Sequence, residues 1–372
     1  MDSRSIVDHF SDLPDPREDN RRHLLLDIIV VVICASICGA EKWEDIEAFG
    51  KSKESWLRRF LRLPHGIPSH DTIARVFSRL DPKALNARFV SWVAAVNPAS
   101  EQEIVNIDGK TARRSHDRSN NKPAIHMVSA WANQAGVTLG QQKVDEKSNE
   151  ITAIPELLQM LELRGCVVTI DAIGTQPAIA EQIVDAEADY VLALKANKTS
   201  LHEEVKLYFD DIEGDRHTAA ECDYNKSVDT GHGRVEIREC WATERIEWLQ
   251  AAKGYKGLRS ICAVKSQRII GEQTTTRWLY YVSSLPPQAE RLGRTIRAHW
   301  GIENSLHWVL DVAFREDECR KRKDNSAENF AILRHITLNL LKAEKSCKRS
   351  IAGKRLLAGW DTAYMEKVLF TG

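Results

Sequence analysis

Three acidic residues in this 372-residue sequence stand where a carboxylate could bind a metal ion. Asp108 follows the largely apolar run 104–107, and Asp171 follows the largely apolar run 166–170; both runs are typical of buried strands. A charged carboxylate beside a buried strand is costly unless it caps a turn or binds a cation. Glu303 lies in a segment with helical periodicity, and a helix packed across the sheet could bring it to the same place.

If the two strands are parallel neighbours, Asp108 and Asp171 lie at one edge of the sheet, where open α/β sheets keep their sites. Together with Glu303 they could hold two ions about 4 Å apart, which would activate a water or a 3'-hydroxyl for in-line phosphoryl transfer. Oxygen ligands favour Mg2+ or Mn2+ over Zn2+. Taken singly, each Asp could instead cap a turn, and Glu303 could be a solvated helix residue.

The order of the apolar patterns predicts an α/β fold with a ribonuclease H-like core. Residues 1–98 show only helical spacing and predict an all-helical N-terminal domain, whereas residues 103–345 begin with three strands, a helix, a strand, a helix and a strand. A β-rich insertion at about 215–285 interrupts this second domain, and helical periodicity follows it. Residues 346–372 are basic and weakly patterned, and we expect a tail there.

Cysteine usage and hydropathy indicate a protein of the cytoplasm. The eight cysteines include no Cys-x-x-Cys pair and the N-terminus shows no secretory signal pattern, so we expect reduced thiols in a cytosol. The apolar stretch 24–40 has 17 residues with Asp27 among them, fewer than the ~20 that span a bilayer. We expect a buried helix at this position.

The charge of the chain is balanced in sum and uneven in distribution. Its 52 Lys and Arg against 53 Asp and Glu give a formal charge of −1, which would argue against a nucleic-acid partner if it were evenly spread. Residues 101–200 carry 10 basic and 14 acidic residues, whereas residues 291–372 carry 16 basic and 10 acidic ones. This asymmetry keeps nucleic acid among the expected partners.

Several groups of basic residues could contact DNA, and each could instead be an ordinary solvated surface. A helix after the break at 64–68 could be a recognition helix or could simply pack against its neighbours. The turn 231–234 could present a cation or be only a turn, and the loop 145–150 could support the metal site or cap the next helix. The candidate DNA contacts are Arg75 and Arg79 on the possible recognition helix; Lys110, Arg113 and Arg114, followed by Arg118 and Lys122; Arg234 in the turn; Arg297 with Arg291 and Arg294; and Arg320, Lys321, Arg322 and Lys323.

Five motifs in order along the chain are more specific than any one of them. They are PSHDT at 68–72, IDGK at 107–110, DEKSNEI at 145–151, IDA at 170–172 and HWxIENxLHWxLDV at 299–312. Together they resemble the DDE insertion-sequence transposases of the group that includes the H-repeat-associated proteins of Rhs elements. The resemblance covers residues from about 6 to 345.

The resemblance implies an activity and a set of site residues. Asp108, Asp171 and Glu303 would be the catalytic and metal-binding triad, with spacings of 63 and 132 residues; the second is long because the family carries a β-rich insertion there. Family members cut DNA at the ends of the element and join the 3'-hydroxyl to target DNA. The resemblance therefore implies two Mg2+ ions, with Mn2+ as substitute. It also implies terminal inverted repeats, target DNA and further copies of the chain as partners, with no membrane, and a place in the bacterial cytoplasm in association with the nucleoid.

The sequence departs from the wider family around the third acidic residue. Ile296 and His299 stand where the family has Tyr and Arg, and Leu310 stands where it has Lys. His299 and its neighbours Arg297 and Trp300 could substitute through charge and base stacking. Two alternatives remain: a domesticated DNA-binding protein without catalysis, and a metal-dependent nuclease that hydrolyses DNA without joining it.

Overall fold

The structure is a computed structural model that describes residues 6–18, 21–98, 100–117, 122–145, 148–195, 199–210, 212–214, 216–231 and 233–370. Within these residues the chain forms fifteen α-helices, α1 to α15, and nine strands, β1 to β9. The fold is mixed α/β, built around one large sheet. Arg118 and His232, together with Glu146 and Lys147 of the loop 145–150, lie outside the described residues.

The described residues before 100 form helices and no strand. The Ser69 hydroxyl accepts a hydrogen bond from the Thr72 amide at the start of α5, and Asp81 caps α6, which has Pro82 at its first position. Residues 43–57 form two helices that meet at Lys53. The helices are α1 (Ile6–Phe10), α2 (Leu25–Ile37), α3 (Trp43–Ser52), α4 (Glu54–Leu57), α5 (His70–Arg79) and α6 (Pro82–Val96).

Helix α2 is the buried helix that hydropathy predicts. All of its residues from Ile28 to Ile37 are buried. Asp27 is buried too, and its Oδ2 accepts a hydrogen bond of 2.8 Å from the Leu63 amide, which satisfies a carboxylate that would otherwise be costly. No helix in the described part of the chain has the length and hydropathy needed to cross a membrane.

A nine-stranded sheet forms the centre of the molecule. Its strand order is β3-β2-β1-β4-β5-β9-β8-β7-β6. Strands β1, β4 and β5 are parallel, and the other neighbouring pairs are antiparallel. The strands are β1 (Ile104–Thr111), β2 (His126–Ala132), β3 (Val137–Lys143), β4 (Val167–Ile170), β5 (Asp189–Leu194), β6 (Asp223–Gly231), β7 (Arg234–Thr243), β8 (Ser260–Ile270) and β9 (Gln273–Ser283).

Two helices connect the parallel strands. Helix α7 (Glu150–Gln159) leads from β3 to β4, and α8 (Pro177–Asp185) leads from β4 to β5. Asn149 begins α7 by accepting a hydrogen bond of 3.0 Å from the Ile151 amide. The first five strands and these two helices follow the predicted order along the chain.

The β-rich insertion extends the central sheet and does not form a sheet of its own. Strand β9 pairs with β5, and β8, β7 and β6 follow outward. Two helices, α9 (Thr199–Phe209) and α10 (Arg216–Ala220), precede these strands. Strand β6 was not predicted from the sequence, because most of its residues are exposed and polar and lack the apolar alternation of a half-buried strand.

The chain ends in helices that return to the N-terminal ones. Helix α13 is almost fully buried, and α14 and α15 fold over residues where we expected a weakly patterned tail. Tyr364 and Leu369 are buried, whereas Trp360 is 71% exposed. The helices are α11 (Ala289–Ile302), α12 (Trp308–Phe314), α13 (Ser326–Ala343), α14 (Ile351–Trp360) and α15 (Thr362–Phe370), with a π-helical turn, Glu303–His307, between α11 and α12.

Candidate active site

Asp108 and Asp171 lie side by side on neighbouring parallel strands. Ile107 of β1 pairs with Ile170 of β4, and in each strand the next residue is the aspartate. On its other side β1 pairs with β2, and there Asp108 lies opposite Ser129. The parallel register therefore brings the two carboxylates to the same part of the sheet, as the apolar runs predicted.

Electrostatics shows that further carboxylates approach Asp108. Its side chain is only 21% exposed. Burial raises the pKa of Asp108 to about 7, and the charges of Glu150, Asp171 and Glu303 also raise it, whereas a hydrogen bond from the Gly109 amide lowers it. The charges of three other carboxylates thus act on one partly buried carboxylate.

This donor set fits a divalent cation. Carboxylates that repel one another at a desolvated position are stabilised by a bound ion, because its charge offsets both the burial and the repulsion. No three His, Cys, Asp or Glu side chains in the described residues are close enough together to hold one ion as they stand. The side chains would therefore have to rotate inward for Asp108, Asp171 and Glu303 to share an ion.

Asp171 performs the capping role that was the alternative to a metal ligand. Its Oδ1 accepts a hydrogen bond of 3.0 Å from the Ile173 amide and so begins a short 3-10 turn. Its Oδ2 lies 3.6 Å from the Lys195 ammonium. One oxygen of Asp171 therefore caps the turn, and the other faces the Lys195 ammonium.

Glu303 begins the π-helical turn between α11 and α12, and its side chain is exposed. A π turn accommodates an extra residue and is common at functional sites. At the end of this turn His307 approaches the first aspartate, with 3.6 Å between His307 Nδ1 and Asp108 Oδ2. Burial lowers the pKa of His307 to about 4, so its ring is neutral beside the carboxylates near pH 7.

His299 does not supply the positive charge that a phosphate contact would need. Its Nδ1 lies 2.8 Å from the Thr169 hydroxyl, which donates to Asn106 Oδ1. Asn106 in turn donates to the Ala298 carbonyl. Burial lowers the pKa of His299 to about 4. This residue therefore pins α11 to β1 and β4 as a neutral ring, and its assignment as a DNA contact stays a prediction.

Gly109 allows a second polar pair to reach the site. His126 Nε2 lies 2.7 Å from Glu150 Oε1, and its Nδ1 lies 2.7 Å from the Thr111 hydroxyl. A Cβ on residue 109 would lie 2.5 Å from His126 Nε2 and closer still to Glu150 Oε1. The Asp-Gly-Lys motif thus needs glycine because this pair occupies the space of a side chain.

Lys110 faces carboxylates and not solvent. Its ammonium lies 2.7 Å from Asp311 Oδ1, 3.4 Å from Glu316 Oε2 and 3.4 Å from Asp317 Oδ1, and its side chain is 12% exposed. Burial lowers the pKa of Lys110, but these carboxylates outweigh it and the net pKa is raised. The structure therefore does not present Lys110 as a free cation for DNA.

Lys321, another candidate DNA contact, is buried in the structure. It is 9% exposed, its ammonium lies over the rings of Trp43 and Phe330, and it donates to the Glu41 carbonyl. Burial lowers the pKa of Lys321 to about 8. A lysine enclosed in this way stabilises the junction of α3 and α13 and cannot reach a phosphate.

The other basic candidates are at least partly accessible. Arg113 pairs with Asp317, Arg234 pairs with Glu236, and Arg297 lies 3.9 Å from the same Glu236. The aromatic candidate Trp300 is 50% exposed. The exposed candidates are Arg75, Arg79, Arg113, Arg114, Lys122, Arg294, Arg297, Arg320 and Lys323; the half-buried ones are Arg234, Arg291 and Arg322.

The sequence did not predict three residues near the two aspartates. Glu150 was expected only as part of the loop 145–150, and neither His126 nor His307 was predicted to lie at the site. Glu150 lies at the end of a conspicuous polar motif, and His307 lies four residues after Glu303, which is the spacing of one helical face. Only the spacing of His307 was a usable signal, because the other two are joined by pairing between separate elements.

Comparison with known proteins places the chain in a family. Residues 99–340 match the family described as "Transposase DDE domain", and residues 7–93 match "DDE_Tnp_1-associated". The "Putative transposase YncI" of Escherichia coli O157:H7 is 40% identical over 99% of this chain and 95% of its own length. The "H repeat-associated putative transposase YhhI" of Escherichia coli K12 is 39% identical over 99% of this chain and 98% of its own length.

Some similar proteins and structures carry less information. The "Inactive transposase YbfQ" of Escherichia coli K12 is 45% identical over only 21% of this chain. A solved piggyBac transposase synaptic complex with hairpin DNA covers 99% of this chain and 79% of its own, at 11% identity and a TM-score of 0.39, which is too low to support an argument. On the full-length relatives and the matched domain, this chain belongs to the DDE transposase family and is similar to its H-repeat-associated members.

Proposed function

We propose that this protein cleaves DNA at the ends of its element and transfers the resulting 3'-hydroxyl to target DNA, with Asp108, Asp171 and Glu303 as the catalytic triad. The observation that carries this proposal is the register of β1 and β4, which places the two aspartates side by side. The charge of Glu303 acts on Asp108, so the third residue belongs to the same cluster.

The architecture supports a ribonuclease H-like catalytic core over residues 103–345. Five strands in the order β3-β2-β1-β4-β5, with α7 and α8 between the parallel ones, form the part of the sheet that carries both aspartates. We assign the helical residues 1–98 to DNA binding and the insertion near 215–285 to the same catalytic domain. The basic residues 346–372 form a C-terminal extension of this domain.

Asp108, Asp171 and Glu303 are the residues that would hold two Mg2+ ions, or Mn2+ in their place. When bound, such ions supply Lewis-acid stabilisation of the attacking and leaving oxygens of a phosphoryl transfer. The chain itself contributes the fixed backbone of β1 and β4, the turn that orients Asp171, and the helix that carries Glu303. The rings of His299 and His307 are neutral near pH 7 and add no positive charge beside the carboxylates.

The accessible basic residues define the proposed DNA surface. Arg75 and Arg79 lie four residues apart on α5, both exposed, and Arg297 and Trp300 are exposed on α11 next to the site. Arginines would bind phosphates, and Trp300 would stack on an unpaired base. We infer terminal inverted repeats and target DNA as partners, a homo-oligomer on paired ends, and a place in the bacterial cytoplasm near the nucleoid.

The test is a cleavage and joining reaction with the terminal repeats of the protein's own element and Mg2+. The wild-type protein is expected to give joined products, whereas Asp108→Ala should abolish cleavage and leave DNA binding intact. Cleavage that persists in Asp108→Ala would overturn the triad. Free ends without joined products would favour the nuclease, and binding without cleavage in the wild type would favour the domesticated DNA-binding protein.

A further inference from the structure

Lys110 and Asp108 lie on the same face of β1, two residues apart. Lys110 reaches away from the sheet to Asp311 of α12, with 2.7 Å between ammonium and carboxylate. Asp311 follows Glu303 by eight residues across the π-helical turn. One ion pair therefore joins the strand that carries the first triad residue to the helical unit that carries the third.

The acidic side of this contact is itself held in place. Asp317 accepts a hydrogen bond of 3.2 Å from the Arg113 amide as well as facing Lys110. Glu316, which is buried, lies 3.7 Å from the Arg334 guanidinium on its other side. The partners of Lys110 therefore have fixed positions, and the ion pair holds β1 in place relative to them.

A lysine ammonium has three donors, and three carboxylates surround this one at 2.7 to 3.4 Å. The three carboxylates enclose the ammonium, and only 12% of the side chain is exposed to solvent. A phosphate contact would require Lys110 to leave this cluster and expose three buried or half-buried carboxylates to mutual repulsion.

We propose that Lys110 is a positioning residue that fixes Glu303 relative to Asp108, and that it does not contact DNA. This inference rests on the proposed function of the triad. It assigns the lysine of the Asp-Gly-Lys motif to the geometry of the site, whereas its position in the sequence suggested a phosphate contact.

The experiment compares Lys110→Met, Asp311→Asn, the double variant and Lys256→Met in the full-length protein. Lys256→Met is the matched control, because Lys256 is exposed and pairs with Asp185 outside the site. Three quantities are measured for each: single-turnover cleavage against Mg2+ concentration, DNA affinity against salt concentration, and affinity for Mn2+ alone by electron paramagnetic resonance. Circular dichroism checks folding.

Lys110→Met and Asp311→Asn are each expected to slow cleavage about tenfold to a hundredfold, since a displacement of about 1 Å has this effect on a reacting geometry. Both should raise the Mg2+ concentration needed for the half-maximal rate and weaken Mn2+ binding, and the double variant should resemble the worse single one. DNA affinity and its salt dependence should stay at the wild-type values. Lys256→Met should change none of these.

Three results would overturn the inference. The first is a Lys110→Met protein whose salt dependence of DNA binding falls by about one phosphate contact. The second is an Asp311→Asn protein with wild-type cleavage and Mn2+ affinity. The third is a double variant whose losses simply add. If Lys110→Met does not fold, Asp311→Asn decides alone, because it leaves Glu316 and Asp317 to pair with Lys110.

Failure of the proposed function would look different. A wild-type protein that does not cleave DNA would refute the triad as a catalytic site. The Mn2+ affinities and the salt dependence would still decide whether Lys110 positions the carboxylates or binds phosphate.

Discussion

Gly109→Ala tests the packing that brings Glu150 to the site. Residue 109 is in ordinary extended backbone within β1, so alanine is not strained by its conformation. The added Cβ would lie 2.5 Å from His126 Nε2 and 2.7 Å from the Glu150 carboxyl carbon, where 3.4 Å or more is ordinary contact. The two side chains must therefore retreat by about 1 Å.

The cost follows from the bond that is lost. His126 is held on its other side by Thr111, so retreat breaks the 2.7 Å hydrogen bond between His126 and Glu150. A hydrogen bond to a charged group contributes about 1.5 to 3 kcal/mol. We expect Gly109→Ala to lower the free energy of unfolding by about 1 to 3 kcal/mol, and no more, because the ends of both side chains can move without the backbone.

The measurement is a double-mutant cycle by urea unfolding with Glu150→Ala. Removing Glu150 eliminates the closest clash and frees His126 to rotate, so Gly109→Ala should cost less in the Glu150→Ala protein than in the wild type. Equal costs in the two backgrounds would refute the reasoning, and so would a Gly109→Ala protein as stable as the wild type.

Three further predictions concern residues outside the triad. Glu344→Ala should lower the free energy of unfolding, measured with urea, by about 3 to 5 kcal/mol. The reason is that it removes the charge partner of the buried Lys354 ammonium, which lies 3.6 Å from the Glu344 carboxylate. Glu344→Gln, which keeps the shape of the side chain, should lower it less. Lys321→Met should lower the midpoint temperature of thermal unfolding without changing DNA affinity in a gel-shift titration. Lys323→Gln, at an exposed position, should weaken DNA binding and leave that midpoint unchanged. The opposite pattern would show that Lys321 contacts DNA. Burial lowers the pKa of His335 to about 3, below the ordinary 6.5. As pH falls below 6.5 the unfolded state therefore binds a proton before the folded state does, and this residue should lower the free energy of unfolding by about 2 kcal/mol at pH 5. A His335→Gln protein with the same pH dependence of unfolding as the wild type would contradict this.

The sequence predicted the elements that are apolar on both faces. Strand β4 and the parallel arrangement of β1 and β4 were predictable because buried strands of parallel sheets are almost continuously apolar. The expected strands 137–144 and 190–195 agree with β3 and β5 to within a residue. The pairing of β9 with β5 was not predictable, because it joins strands far apart in the chain.

The proximity of the two aspartates could be predicted from the sequence, whereas the surroundings of the basic residues could not. Asp108 and Asp171 could be placed together because the register of parallel strands determines their separation. Lys110 and Lys321 were both interpreted as solvent-facing cations, but each lies among groups contributed by other elements. A basic residue in a sequence gives its charge and not its partners, so only the tertiary structure could separate these two from exposed residues such as Lys323.

Glu303 gives the most direct test of the account, because it is exposed and its assignment depends on the helix that carries it. Glu303→Gln keeps the shape and removes the charge, and Glu290→Gln, at an exposed glutamate in the first turn of the same α11–α12 unit, is the matched control. The account predicts that Glu303→Gln binds the element's terminal repeats like the wild type and neither cleaves nor joins them with Mg2+, while Glu290→Gln does both. Joined products from Glu303→Gln at the wild-type rate would contradict it.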